Sequence, residues 1–173
     1  VSDFGIACDG EVASVCLFSD VPLPEIKTVL LDYQSKTSVE LLKILLKEHW
    51  KILPELVTGN ANYEKSISGT TAGLVIGDRA LALRSKSKYI YDLGLAWKEL
   101  TGLPFVFAAW ISNKKLPQSF VDEFAEANSF GFLHLDEVIR NNPVTDFDLE
   151  AYYNRFIKFR LNAEMLQAAK LFI

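Results

Sequence analysis

The sequence predicts an α/β protein, and three observations predict it. Short apolar, β-rich runs alternate with helical segments up to Ser112, and helical segments alone follow. Half of the 173 residues are hydrophobic and 12% are aromatic, enough to build a core without staples. Charged residues make up 23%, near the globular average, so the chain is no disordered polyelectrolyte. The order of elements further implies mostly parallel strands and a helical C-terminal layer.

Val12 to Ser19 is apolar on both faces and suits a buried strand, which Pro22 and Pro24 end because proline cannot continue a ladder. Thr28 to Asp32 is a second short buried strand. Ser35 to Ser38 then leads into an amphipathic helix over Val39 to Trp50, with Thr37 and Glu40 at capping-box spacing. Ile52 to Thr58 is extended, and Pro54 pushes it toward a sheet edge. Gly59 to Gly69 is a polar connector with a short helix near Tyr63 to Ile67. Ala72 to Gly77 is a buried strand, and Asp78 is placed to cap a short helix over Arg79 to Arg84. Lys88 to Asp92 is extended, Leu93 to Leu100 helical, and Thr101 to Pro104 a turn by its Gly and Pro. Phe105 to Ser112 is a long buried strand. Helices are expected over Pro117 to Asn128, Phe132 to Arg140, Phe147 to Arg160 and Ala163 to Phe172.

Several function classes lose their support. The net charge of −4 and a pI near 5.2 argue against broad nucleic-acid binding, which needs a Lys/Arg excess on one face. Leu103 to Ile111, the most apolar run, is strand-sized and carries a proline, so no membrane span is expected. Cys8 and Cys16 are the only cysteines and read as reduced core residues. A phosphate-binding glycine loop, a dinucleotide fingerprint, a nucleophile elbow and a zinc-protease motif are all absent. The start carries no basic-then-apolar signal peptide, and Val1 to Ile6 reads as the interior of a longer chain.

Three features remain as candidates for chemistry. The helix start at Ser35, Thr37 and Ser38 combines free N–H groups with hydroxyls and suits a carboxylate; an ordinary helix cap would look the same. Asp78, after a buried strand, is suited to binding a ligand, orienting ligand-binding backbone or capping its helix. Tyr91 to Gly94, Trp97 and the Thr101 to Trp110 stretch either wall a pocket for a ring or pack the core. His49 belongs to the last turn of a helix, where it complements the dipole, and His134 to a C-terminal helix at the surface. The lysine pairs 86/88 and 114/115 are solvated.

Ile76-Gly77-Asp78-Arg79-Ala80-Leu81, Tyr91-Asp92-Leu93-Gly94 with Trp97, and the run from Thr101 to Trp110 resemble the chorismate dehydratase family of menaquinone biosynthesis, in the futalosine pathway. Cys8-Asp9-Gly10 with Ser14 to Ser19, the Ser35 to Val39 helix start and the Tyr152 to Arg160 tail resemble it too, so the likeness covers nearly the whole chain. The resemblance implies a two-lobed fold like that of type 2 periplasmic binding proteins. One complete lobe would span residues 11–100, with 1–10 and 101–173 forming part of an incomplete second lobe plus C-terminal helices. It implies a carbon–oxygen lyase that converts chorismate to 3-(1-carboxyvinyloxy)benzoate in the cytoplasm. Its partner would be this small dicarboxylate, with no nucleic acid and no membrane. Aromatisation supplies the driving force, so neither redox cofactor nor metal is implied. The family's Ser-Tyr-Leu-Asn-like N-terminal motif finds no counterpart here, which leaves the catalytic base unassigned and this chain alone inactive by expectation. Two other readings remain: a non-catalytic carboxylate-binding protein of the same fold, and the sibling 1,4-dihydroxy-6-naphthoate synthase.

Overall fold

The computed structural model describes residues 2–142 and 147–172. Val1, first residue of the stretch read as interior to a longer chain, lies outside them. Two sheets organise the molecule. The larger contains β2 (Val15–Ser19), β3 (Thr28–Leu31), β4 (Glu55–Thr58), β5 (Thr71–Ile76) and β6 (Tyr89–Asp92) in the order β4-β3-β5-β2-β6. The smaller contains β1 (Phe4–Cys8), β7 (Phe105–Ala109) and β8 (Lys158–Arg160) in the order β7-β1-β8.

The expected mostly parallel arrangement is corrected. Among the described residues, only β3–β4 and β3–β5 run parallel, whereas β2 is antiparallel to both β5 and β6, and β1 to both of its neighbours. The reason is how the chain enters the larger sheet. It arrives from β1 through a tight turn at residues 9–14, so β2 starts at the edge where β5 and β6 end; a parallel β2 would need a crossover from the opposite edge. β4, which starts just after Pro54, does lie at the sheet margin.

Helix α1 (Lys36–Ile44) continues as a π-helical turn over Leu45–His49 and buries Leu41, Leu42, Leu45 and Leu46 against the larger sheet. A 3-10 turn follows at Tyr63–Ser66. Helices α2 (Asp78–Leu83) and α3 (Leu93–Thr101) bury Ala80, Leu81, Leu93, Ala96 and Trp97. Gly102, with φ +75°, closes α3 in the left-handed conformation that glycine adopts without steric cost.

After β7, helix α4 (Gln118–Leu133) runs into α5 (Leu135–Asn141), so the two helices expected over this stretch meet at a single break. His134 sits at that break rather than within a helix, exposed, its ring 2.8 Å from the Phe130 carbonyl. The helix expected over Phe147 to Arg160 is also corrected. Asp148 caps a single turn, α6 (Leu149–Ala151), a π-helical turn covers Tyr152–Phe156, and β8 follows. β1 has an open edge on that side, and pairing with it outweighs the local helical preference of Lys158–Arg160. α7 (Ala163–Phe172) closes the chain.

The main core is continuous between the two sheets: Cys8, Phe105 and Ile157 join Leu17, Leu41, Leu74, Leu93 and Trp97 in one cluster. β7, expected to be buried throughout, is buried only at its start, and Ala108, Ala109, Trp110 and Ile111 are exposed. Both cysteines are buried and free, as expected. Burial first, and then the Asp92 carboxylate, push the Cys8 thiol up to about 12 and Cys16 well above its ordinary value.

Candidate functional site

The register of the larger sheet brings several chain reversals to one edge. β3 and β5 run parallel with Leu30 opposite Gly73, so their C-terminal ends lie side by side and α1 and α2 start there. β2 begins at the same edge, with Val15 opposite Ile76, and β6 ends there, with Asp92 opposite Cys16. Three helix N-termini and the Glu11–Ser14 turn therefore share one rim, a concentration of N–H donors favourable to anions.

At α1, Ser35 rather than Thr37 is the N-cap. Its Oγ accepts the Ser38 N–H at 3.2 Å and donates to Ser38 Oγ at 2.8 Å. The expected Thr37–Glu40 capping box is thereby corrected: the helix begins at Lys36, so Thr37 is already helical and Glu40 pairs outward with Lys43 at 2.7 Å. The three hydroxyls diverge. Ser38 is 2% exposed. Ser35 lines an open cavity of about 480 Å³ with Asp32, Tyr33, Lys36, Glu40 and Thr58. Thr37 faces a groove of about 440 Å³ walled by Val106, Phe107, Ala108, Ala109 and Phe172, so it looks from the larger sheet's helix toward the smaller sheet.

Asp78 is not the cap of its helix. Gly77 occupies that position with φ +65° and ψ −146°, a conformation open to glycine, and Asp78 is the exposed first helical residue. Its field reaches Tyr152, whose hydroxyl donates to Ser14 Oγ at 2.8 Å; burial chiefly, with Asp78 adding to it, holds the Tyr152 phenol above its ordinary value. Ser14 in turn accepts the Gly77 N–H on its carbonyl at 2.7 Å. The structure thus gathers Ser14, Asp78 and Tyr152 at one place, and puts Ser35, Thr37 and Ser38 on α1.

Two buried carboxylates hold the rim, and sequence reasoning missed both roles. Asp92 caps α3 through Leu95 N–H at 3.0 Å and also accepts Val12 N–H at 3.1 Å and Ala13 N–H at 2.7 Å. Ala13 has φ +63°, which costs a non-glycine residue about 1 kcal/mol and persists because its N–H is captured. Burial raises the Asp92 carboxyl above the usual carboxylate range, against the opposing pull of those N–H groups. Asp32, its side chain fully buried, accepts Gln34 N–H at 2.7 Å, the Tyr63 hydroxyl at 2.9 Å and Arg79 Nη2 at 2.6 Å. Arg79 and Asp32 are 47 positions apart, and the one sequence signal was an acid at the end of each of two strands.

The aromatic stretch divides between the alternatives left open for it. Trp97 and Phe105 pack edge to face in the core, while Phe107 faces the Thr37 groove and Trp110 lines a separate cavity with Phe4, Asn128 and Phe132. His49, on the π-helical turn, contacts Glu99 at 3.2 Å. Among the described residues, no group of three or more His, Cys, Asp or Glu is placed to hold a metal ion, and no helix is long and apolar enough to cross a membrane.

The chain is similar to the chorismate dehydratase of Thermus thermophilus, 34% identical over 161 residues that cover 79% of this chain and 56% of that protein. It is similar also to the chorismate dehydratase of Campylobacter jejuni, 29% identical over 139 residues that cover 71% of this chain and 62% of that protein. It therefore spans less than two thirds of the length of either relative. The family match, described as menaquinone biosynthesis, extends over residues 1–173, and on that ground the chain belongs to the menaquinone biosynthesis family.

Proposed function

We propose that the complete protein of which this chain is a part dehydrates chorismate to 3-(1-carboxyvinyloxy)benzoate, a carbon–oxygen lyase step of menaquinone biosynthesis in the futalosine pathway. The observation that carries the reading is the 34% identity to a relative named chorismate dehydratase, within a family match over the whole chain. The reading extends to a cytoplasmic enzyme with the two-lobed architecture of type 2 periplasmic binding proteins, residues 11–100 forming one lobe and residues 1–10 and 101–173 part of the other.

The chemistry asks for little beyond positioning. A base takes a ring proton, the C–H electron pair becomes a ring double bond, and the hydroxyl leaves as water once protonated, giving an aromatic ring. Chorismate brings two carboxylates, and the N-terminal turn of α1 offers donors on two sides: Thr37 toward the groove by the smaller sheet, and Ser35, which also holds Ser38 beneath, toward the cavity beside Asp32. Asp78, exposed on the same rim, is the residue this reading assigns to orienting the substrate or its hydroxyl. Enclosure between the sheets would exclude bulk water from the developing charge.

The test is mass spectrometry of chorismate incubated with the full-length protein. Loss of one water to an aromatic enolpyruvyl ether is expected. Replacing Thr37 and Ser35 by alanine in that protein should raise KM for chorismate roughly tenfold, the scale of one or two charge-assisted hydrogen bonds. Chorismate returned unchanged by folded protein would overturn the reading.

A further inference from the structure

Arg79 stands at the meeting point of three segments. Its Nη2 donates to Asp32 Oδ2 at 2.6 Å and to Gln34 Oε1 at 2.7 Å, while Nη1 donates to Glu64 Oε1 at 2.5 Å. The guanidinium also approaches the rings of Tyr33 and Tyr63 from one side, 5.3 Å and 5.8 Å from their centroids. It therefore grips the stretch from Asp32 to Gln34, which leads directly into the Ser35 cap of α1, from the first turn of α2, where Asp78 is its immediate neighbour. Asp32 completes the grip by fixing the Gln34 N–H at 2.7 Å.

We propose that Arg79 is a positioning residue for the substrate site: by clamping residues 32–34 to the α2 turn, it sets where the Ser35–Ser38 turn stands relative to Asp78. The proposal rests on the chorismate reading for the identity of the ligand. Packing alone gives no reason for the arrangement, since apolar side chains of similar size fill such a space at no greater cost than a fully buried carboxylate paired with a guanidinium left partly in solvent. What the charged fork adds is geometry. A planar donor with three partners on two segments fixes distance and orientation, and a lysine ammonium, a point charge on a flexible stem, does not.

The test uses the full-length protein and compares wild type, Arg79→Lys and Arg79→Met, each with and without Thr37→Ala. Arg79→Lys keeps the positive charge beside buried Asp32 and serves if Arg79→Met does not fold. A tenfold or greater rise in KM for chorismate with kcat changed less than threefold is expected for Arg79→Lys. The Arg79→Lys and Thr37→Ala effects should be less than multiplicative, because one acts through the turn that carries the other. An unchanged KM, or fully multiplicative effects, overturns the proposal.

Amide exchange separates this claim from the functional reading. In Arg79→Lys the amides of Gln34, held by Asp32, and of Ser38, held by the Ser35 cap, should exchange at least tenfold faster while those of Val29 to Leu31 are unchanged. If wild type leaves chorismate intact, the functional reading fails and the clamp is judged on exchange alone; unchanged exchange at Gln34 and Ser38 overturns it.

Discussion

Helices α1 and α4 carry similar shares of apolar residues, yet they end in different states. α1 and its π-helical extension bury Leu41, Leu42, Leu45 and Leu46 against a five-stranded sheet. α4 is longer, lies beside a three-stranded sheet, and has no buried residue; Phe130 is 63% and Leu133 82% exposed. The smaller sheet's own strand β7 runs from buried Phe105 to exposed Ala109, and Ile111 just beyond is 89% exposed. A sheet face three strands wide cannot cover a sixteen-residue helix that carries apolar residues around much of its circumference. Stability is therefore concentrated in the larger sheet and at the seam where Cys8, Phe105 and Asp92 meet it, and single substitutions should register that gradient.

Two aspartates give the sharpest form of the comparison, because both cap helices. Asp92 caps α3 at the seam and also satisfies Val12 and Ala13; Asp148 caps α6 through Ala151 N–H at 3.0 Å and is exposed. Asp92→Ala strands three N–H groups, at least two of them buried, and should cost about 3–5 kcal/mol in urea unfolding. Asp148→Ala should cost about 0.5–1 kcal/mol, the worth of a solvated cap. Equal penalties would erase the gradient. The Asp92 difference should also depend on pH. Its carboxyl lies above the unfolded carboxylate value in the folded chain, so the folded state binds the proton more tightly. The stability this contributes is complete below the unfolded value and is lost as pH rises through the folded one, so the Asp92→Ala penalty should shrink in that direction.

Much of this gradient could be read from residues, and the parts that could not share a cause. β2 and β3 declared themselves through short apolar runs ended by Pro22 and Asp32, and α1 through its helical spacing, because those signals are local. The strand direction of β2 was not local: it depends on where residues 9–14 deliver the chain. β8 is three residues long and owes its conformation to an open edge of β1, more than 150 positions earlier. At the site, the helix start was legible but its cap was displaced from Thr37 to Ser35, a shift of two residues that changes which hydroxyl faces which cavity. The Asp32–Arg79 clamp was invisible, since an acid and a base 47 positions apart carry no pattern until β3 and β5 are placed side by side.

The glycines extend the comparison to backbone packing. A Cβ at Gly94 would sit 2.6 Å from the buried Cys8 Sγ and 2.5 Å from the Gly10 carbonyl oxygen, which cannot yield without moving the turn that Asp92 holds. Gly94→Ala should therefore destabilise by about 1–3 kcal/mol, the usual cost of overpacking, despite alanine's better helix propensity. A neutral result would mean that the seam is looser than its contacts indicate.

Gly131 is the counterpart in α4 and should behave with the opposite sign. It is exposed within the last turn of the helix, its φ is not positive, and an added Cβ would meet nothing within 4 Å. With no contact to lose and no strained conformation to hold, the substitution acts mainly through the unfolded chain, where alanine has less freedom to surrender than glycine. Gly131→Ala should stabilise by about 0.5–1 kcal/mol if α4 melts together with the rest of the molecule. If α4 frays before the core unfolds, the same substitution should leave the urea midpoint unchanged while slowing amide exchange between Phe130 and Leu133. A midpoint shift thus places α4 inside the cooperative unit, and protection without a shift places it outside, making the two sheets thermodynamically as well as structurally unequal.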